Sequence, residues 1–116
     1  MPVIRIEVPE GTPPEIKKRL REGAKQAVLD TLAPKETKYD YVAIREVFGE
    51  IGDGVPLATV DLRPGRELEQ KIALVDALAG LLKAELDVAS ENVCVLFREN
   101  HYCGGTPLPA WVSADQ

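Results

Sequence analysis

The sequence predicts an α+β fold in which a β-α-β unit occurs twice, giving a four-stranded mixed sheet with two helices on one face. Residues 2–11 align without a gap on residues 56–65, so that proline matches proline and glycine matches glycine. Residues 41–46 align in the same way on residues 94–99, including an Arg-Glu pair near the strand end. A repeat of this size indicates one supersecondary unit that is used twice.

The first half contains the pattern strand, helix, strand. Apolar residues alternate with charged ones over residues 3–8, which is the period of a half-buried strand. Thr12 is the predicted N-cap of the first helix, with Pro13 at the first helical position and Glu15 completing a capping box. The second strand is predicted over residues 41–46. The apolar positions of the helix follow at helical spacing: Ile16, Leu20, Ala24, Ala27 and Val28.

The second half repeats this order. Residues 57–62 form the third predicted strand, and residues 94–99 form the fourth. Glu67 and Glu69 place acidic groups in the first turn of the second helix, where the helix dipole favours them. Right-handed crossovers put both helices on the same face of the sheet. The apolar stripe predicted for the second helix is Leu68, Ile72, Val75, Ala79, Leu82 and Leu86.

Length and composition indicate one domain over residues 1–116, made of halves at about 2–55 and 56–116. The chain is 45% hydrophobic and 28% charged, as is ordinary for a globular protein. No apolar run approaches the roughly 20 residues needed to cross a bilayer. A net charge of −5 argues against nucleic acid or an anionic membrane as a partner.

The two cysteines, Cys94 and Cys103, lack the spacing of a metal site. Together with the absence of an export signal, they predict reduced thiols and a cytoplasmic location. A sheet covered by helices on one face leaves its other face apolar and in need of a partner. We therefore expect an oligomer, formed through a face that includes Val3, Ala43 and Leu57.

Several short motifs together resemble the tautomerase superfamily. The Met-Pro start, the short alternating strand, the Arg-Pro-Gly-Arg turn at residues 63–66 and the amphipathic helix resemble 4-oxalocrotonate tautomerase. Residues 101–105 (His-Tyr-Cys-Gly-Gly) are similar to the closing motif of that family. The duplicated form resembles longer members, such as cis-3-chloroacrylic acid dehalogenase, malonate semialdehyde decarboxylase and the fused tautomerases. The resemblance covers nearly the whole chain and implies a homotrimer.

The resemblance implies that Pro2 is the catalytic general base once Met1 has been removed. An α-amino group titrates near about 7.7–8 in a model peptide, and an apolar pocket with neighbouring cations lowers that value. A base poised near neutral pH suits proton transfer at carbon or at an enol oxygen. Pro56 occupies the same place in the repeat, but it is bonded on both sides and has no free amine.

The resemblance assigns Arg63 and Arg66 to catalysis and to binding the substrate carboxylate and carbonyl oxygen. Guanidinium groups pair with carboxylates in a bidentate manner, which favours arginine over lysine here. Tyr102 matches the aromatic residue of the closing motif and is expected to line the pocket. Tyr41 is a candidate hydrogen-bond donor to substrate, with strand packing as its alternative role. His101 is expected at the surface.

Other functional positions of the superfamily are not matched. Tyr41 and Cys94 stand where 4-oxalocrotonate tautomerase carries an additional arginine, and Thr37 stands at the position of the decarboxylase's aspartate. Leu29 and Leu96 replace a histidine and a tyrosine of the dehalogenase. Without a positioned carboxylate to activate water, hydration lacks support. Keto–enol tautomerisation needs only the proline and the cations.

The sequence therefore predicts a cofactor-independent tautomerase that acts on a small enol or 2-oxo carboxylic acid. A hydrolytic dehalogenase or decarboxylase of the same superfamily is the first alternative. A non-catalytic assembly or binding member is the second, if Met1 is retained. A ferredoxin-like binding domain has the same element order, but it does not predict the aligned prolines and glycines. No metal site, phosphate loop or nucleotide fingerprint is found, so no cofactor is expected.

Overall fold

The computed structural model describes residues 2–34, 40–48, 57–88 and 93–99. Its elements follow the predicted order β-α-β-β-α-β. Neither helix of this described part is long and apolar enough to cross a membrane. The strands and helices are β1 (Val3–Pro9), α1 (Pro14–Thr31), β2 (Tyr41–Val47), β3 (Leu57–Leu62), α2 (Leu68–Leu86) and β4 (Cys94–Glu99).

The four strands form one mixed sheet in the order β2-β1-β3-β4. Strand β1 pairs with β2 in parallel, and β3 pairs with β4 in parallel. The two halves meet where β1 and β3 run antiparallel, with Val3 opposite Asp61. The mixed sheet predicted from the repeat is therefore confirmed.

Both helices cover the same face of the sheet and share one apolar core with it. The alternation seen in the sequence explains this, because every second side chain of β1 and β3 points to that face. The fully or nearly buried members of the core are Ile4, Ile6, Val8, Leu20, Ala24, Ala27, Val28, Leu32, Ala58, Val60, Leu62, Leu74, Leu78 and Leu82.

The two helices approach each other at Gly23. A Cβ atom built on Gly23 would lie 2.6 Å from Cδ1 of Leu81 on α2. This separation is far below van der Waals contact, so the Leu81 side chain would have to move to admit a side chain at position 23. Glycine costs about 1 kcal/mol relative to alanine inside a helix, and at Gly23 it lets the Leu81 side chain pack directly against α1.

The start of α1 differs from the prediction. The helix begins at Pro14, its N-cap is Pro13, and no side chain caps it. The hydroxyl of Thr12 instead donates to the carbonyl of Pro9 at 2.7 Å, within the preceding turn. The prediction of Thr12 as N-cap was wrong because threonine bonds equally well to a nearby turn carbonyl.

The predicted apolar stripe of α2 was right for Leu82 and Leu86, which lie in or against the core, but wrong for the start of the helix. Leu68 and Ile72 are 66% and 51% exposed, and the buried leucines are Leu74, Leu78 and Leu82. Helix α2 carries apolar residues around most of its circumference, so periodicity could not select the buried side.

Matching ion pairs occur on the outer face, the sheet face opposite the helices. Nη2 of Arg45 lies 3.9 Å from Oε2 of Glu7, its neighbour across the β1–β2 pairing. Nε of Arg98 lies 2.9 Å from Oδ1 of Asp61, its neighbour across the β3–β4 pairing. The two pairs occupy equivalent places in the sequence repeat, so the repeat extends to side-chain contacts.

A second matching pair joins each helix to the end of the following strand. Lys17 of α1 lies 3.7 Å from a carboxylate oxygen of Glu46 on β2. Lys71 of α2 pairs in the same way with Glu99 on β4. Each pair ties a helix to the strand that follows it, which fixes the crossover in both β-α-β units.

The turn after the first strand of each half requires glycine. Gly11 has a φ of 87° and Gly65 a φ of 108°, in the region that residues with a Cβ atom rarely adopt. The backbone N–H of Gly11 also donates to Oε1 of Glu46 at 3.0 Å. The alignment of these two glycines in the sequence therefore reflects a shared backbone conformation.

The outer face is more polar than predicted. Val3, Ala43 and Leu57 alternate with the buried residues of their strands, as expected for that face, and each is partly exposed. Asp61 lies beside Val3 on this face and is only 7% exposed because Arg5 and Arg98 flank it. Nη1 of Arg5 lies 3.2 Å from Oδ2 of Asp61. The expectation of an apolar face is therefore corrected, since an ion-pair network joins three of its strands.

We expect Asp61→Ala to lower the free energy of unfolding by about 1–2 kcal/mol, because it removes charge-assisted bonds to two arginines. Glu7→Ala is the matched control from the other half. The ion pair of Glu7 with Arg45 is long and exposed, so the decrease in the free energy of unfolding should stay below about 0.5 kcal/mol. Urea unfolding at one fixed protein concentration measures both. Equal losses for the two variants would contradict a stabilising role for the Asp61 network.

Candidate active site

Pro2 lies directly before β1 with its side chain fully buried. Its carbonyl accepts a hydrogen bond from the backbone N–H of Tyr41 at 3.1 Å. Because β1 and β2 are parallel and Val3 is level with Tyr41, the residues that precede them, Pro2 and Asp40, come together at one edge of the sheet. The start of the chain is thus held beside the start of the second strand.

A cavity of about 260 Å³ opens beside Pro2. Its apolar wall consists of Val28, Leu29 and Val42, and its polar groups are Lys25 and Asp40. Lys25 lies three and four residues before Val28 and Leu29 on α1, so the three side chains share one helix face. The cavity therefore combines an apolar surface with one cation and one carboxyl group.

Asp40 is the carboxyl group that sequence reasoning missed. Burial raises the pKa of Asp40 above its usual value of 3.8, and the positive charges of Arg66 and Lys25 oppose that shift. The sequence comparison assigned the decarboxylase's aspartate position to Thr37, which lies outside the described residues. The available signal was the parallel pairing of β2 with β1, which makes the residue before Tyr41 the neighbour of Pro2.

Arg63 and Arg66 lie after β3, at the same edge of the sheet as Pro2. This follows from the antiparallel pairing, because the end of β3 adjoins the start of β1. Arg63 is only 7% exposed. Nη1 of Arg66 donates to the carbonyl of Leu32 at the end of α1, and its charge acts on Asp40. Neither arginine is among the described residues that line the cavity.

Of the two tyrosines predicted to belong to the site, the structure describes Tyr41 and not Tyr102. The side chain of Tyr41 is on the outer face, where Tyr41 lines a separate cavity of about 330 Å³ together with Arg5, Arg45 and Arg98. Tyr102 lies outside the described residues, as do His101 and Pro56. The structure thus brings together Pro2, both predicted arginines and Asp40 at one edge, while the Tyr41 side chain faces elsewhere.

The two positions at which the dehalogenase pattern is not matched are also separated. Leu29 lines the cavity beside Pro2. Leu96 is 49% exposed on β4, the strand at the far edge of the sheet from β2. In the part of the chain that the structure describes, no three His, Cys, Asp or Glu side chains are grouped as metal ligands. The groups available to chemistry at this edge are therefore Pro2, one carboxyl group and three cations.

The fold is shared with several solved structures of fused tautomerases. A symmetric trimer of wild-type fused 4-OT has a TM-score of 0.75 at 25% identity, over 97% of this chain and 95% of that chain. Native fused 4-OT has a TM-score of 0.77 at 22% identity, over 90% of this chain and 94% of that chain. The sequence matches no protein-family model and no curated protein.

Malonate semialdehyde decarboxylase has the same fold, with a TM-score of 0.68 at 23% identity over 90% of this chain and 91% of that chain. That enzyme was characterised as wild type, as a mutant with its first-position proline changed to alanine, and in an inactivated form. The chain therefore has the fold of the tautomerase superfamily. The resemblance found in the sequence, to the fused form of that superfamily, is confirmed at the level of the fold.

We expect Asp40→Asn to raise the melting temperature at pH 7. A folded-state pKa above the unfolded value means that ionised Asp40 costs folding free energy, and asparagine removes that cost. The contribution of the wild-type carboxyl is most favourable below pH 3.8 and is lost as the pH rises through its folded pKa. The difference in melting temperature between Asp40→Asn and wild type should therefore shrink as the pH falls toward 3.8.

Thermal unfolding of wild type and Asp40→Asn across this pH range checks the expectation. Glu10→Gln, which neutralises an exposed carboxylate outside the cavity, is the control and should change the melting temperature little at either end. A destabilised Asp40→Asn protein at pH 7 would show that ionised Asp40 contributes more to the fold than its burial costs.

Proposed function

We propose that this chain is a cofactor-independent tautomerase acting on a small enol or 2-oxo carboxylic acid, with Pro2 as general base after removal of Met1. The observation that carries the proposal is the buried position of Pro2 against a cavity of about 260 Å³. One neighbour in fold, Pt0534, is inactivated by 2-oxo-3-pentynoate. That reagent is a small 2-oxo acid, the substrate class proposed here.

The environment of Pro2 suits a neutral amine. Val28, Leu29 and Val42 form an apolar wall of the cavity, and an apolar surrounding disfavours a charged ammonium group. Lys25 adds a positive charge on the same side and acts in the same direction. A neutral secondary amine can remove the enol proton and return it to carbon, which completes ketonisation without a cofactor.

Arg63 and Arg66 would bind the substrate carboxylate and the developing enolate oxygen. Both follow β3 at the edge where Pro2 lies, and the burial of Arg63 strengthens its electrostatic effect. Donors fixed in advance where negative charge develops lower the barrier, because they need no reorganisation during the reaction. The site would be asymmetric, with the proline from the first half and both arginines from the second.

We also propose a homotrimer as the working form. Fused 4-OT is known as symmetric and asymmetric trimers. The outer face supports assembly here, since it combines half-buried apolar residues such as Val3 and Leu57 with the arginines around Asp61. A face with this mixture can pair with another copy through both apolar and polar contacts.

We expect Pro2→Ala to lower kcat/KM for ketonisation of phenylenolpyruvate by about 10²-fold or more, the usual effect of losing a positioned general base. Absorbance of the enol measures the rate. Methionine is also removed before alanine, so the variant keeps a primary amine and the comparison isolates the proline nitrogen. Intact mass of both proteins establishes that Met1 is absent.

Two results would contradict the proposal. Retention of Met1 in the native protein would leave the Pro2 nitrogen acylated and without basicity. Equal turnover by wild type and Pro2→Ala would assign the reaction to another group. Retention of Met1 without turnover would favour a non-catalytic assembly or binding role.

The carboxyl group of Asp40 in the Pro2 cavity favours a second candidate function, hydration or decarboxylation. The sequence offered no carboxylate for activating water, and Asp40 supplies one. A carboxyl group with a raised pKa can exchange protons with bound water or substrate closer to neutral pH. Malonate semialdehyde decarboxylase, which shares the fold, has decarboxylase and hydratase activities.

Asp40→Asn separates the two functions. If Asp40 activates water, the variant should lose hydration of 2-oxo-3-pentynoate by about 10²-fold. If Asp40 instead donates a proton to the enolate left by decarboxylation, the variant should lose release of carbon dioxide from a 3-oxo acid by a similar factor. Its ketonisation of phenylenolpyruvate should fall much less. Mass spectrometry of the products and a carbon dioxide assay measure the first pair of reactions. Equal losses of hydration, carbon dioxide release and ketonisation would indicate that Asp40 positions other groups of the site and does not activate water.

A further inference from the structure

The net negative charge of this protein opposes the approach of an anionic substrate. The chain carries a net charge of −5, so its average field repels carboxylates in solution. The proposed substrate must therefore reach the Pro2 cavity through a region where the local potential is positive. The surface around the cavity contains one such region.

A groove of about 530 Å³ runs between the first half of α1 and β2. Lys17, Lys18 and Arg21 line it from the helix. Val42 lines both this groove and the Pro2 cavity, so the two adjoin. Lys25, on the cavity side, continues the row, since positions 18, 21 and 25 share one helix face. We call Lys18, Arg21 and Lys25 the α1 cationic stripe.

The stripe keeps its positive charge in the fold. Among the described residues, no carboxylate forms an ion pair with Lys18 or Arg21, whereas Lys17 beside them pairs with Glu46 at 3.7 Å. The charge of Lys25 acts on Asp40 in the wall of the Pro2 cavity. Two acids of α1 lie near the stripe, Glu15 three residues before Lys18 and Glu22 four residues after it, and neither lines the groove. The described lining of the groove therefore contains cations and no carboxylate, which leaves this face positive in an otherwise acidic chain.

We propose that the α1 cationic stripe is an approach path that concentrates small carboxylate anions at the mouth of the Pro2 cavity and so selects anionic over neutral substrates. This inference rests on the proposed function of Pro2. Exposed charges act on an ion over roughly one Debye length, which is about 10 Å at 0.1 M salt. Their effect is therefore on substrate capture, and it weakens as ionic strength rises.

The test uses the double variant K18Q/R21Q, which removes two stripe charges without touching Lys25 in the cavity wall. Arg19→Gln is the matched control on the same helix. Arg19 faces α2 instead, where its Nε lies 2.9 Å from Oε1 of Glu85. Ketonisation of phenylenolpyruvate and of its neutral methyl ester is measured in low and in high salt.

For K18Q/R21Q we expect kcat/KM with phenylenolpyruvate to fall about 3- to 10-fold in low salt, with kcat unchanged. The difference from wild type should nearly vanish in about 0.5 M salt. The methyl ester should be turned over equally by both proteins. Arg19→Gln should match wild type in every condition. An unchanged kcat/KM in low salt, or an equal loss with the ester, would overturn the proposal.

A binding measurement separates this inference from the proposed function. Titration of nitrogen-15-labelled protein with phenylpyruvate reports affinity whether or not the enzyme turns over. K18Q/R21Q should bind phenylpyruvate about 3- to 10-fold more weakly in low salt. If wild type shows no ketonisation, the proposed function fails, and the titration alone decides on the approach path. Equal affinity of wild type and variant would overturn it.

Discussion

The antiparallel pairing of β1 with β3 is the constraint on which the rest of the molecule depends. It sets Val3 opposite Asp61 and thereby brings the start of the chain beside the end of β3. The register is fixed by burial, because Ile4 and Ile6 must reach the same core as Val60. A slip of one residue would turn every apolar side chain of one strand outward. The meeting of Pro2 with the arginines after β3 is thus a consequence of core packing.

The sequence repeat reproduces the contacts that stabilise this fold, but it does not reproduce the groups proposed for its chemistry. The ion pairs of Glu7 with Arg45 and of Asp61 with Arg98 recur in both halves and stabilise the sheet. The site proposed at Pro2 is not repeated in this way, because Pro56, the counterpart of Pro2 in the sequence repeat, is bonded on both sides and has no free amine. A duplicated chain can therefore keep one set of contacts twice and still carry the asymmetric site proposed for Pro2.

The sequence predicted those parts of the fold that depend on local pattern. Alternation revealed the strands, and the aligned glycines marked two turns with positive φ. The buried side of α2 could not be predicted, since leucines such as Leu74 and Leu81 surround the helix and only tertiary packing selects among them. Asp40 was missed for a related reason: it follows no motif and becomes a cavity residue only through the pairing of β2 with β1.

Charged residues are buried for different reasons in the sheet and at the candidate site. Two charged residues of the described chain are largely buried, Asp61 and Arg63. Asp61 is held between Arg5 and Arg98, so its burial follows from the architecture of the sheet. Arg63 lies instead at the edge that holds Pro2 and Asp40, and burial raises the pKa of Asp40 there. Ionised groups in such places cost folding free energy. Their concentration at one edge is expected where a protein exchanges stability for reactivity.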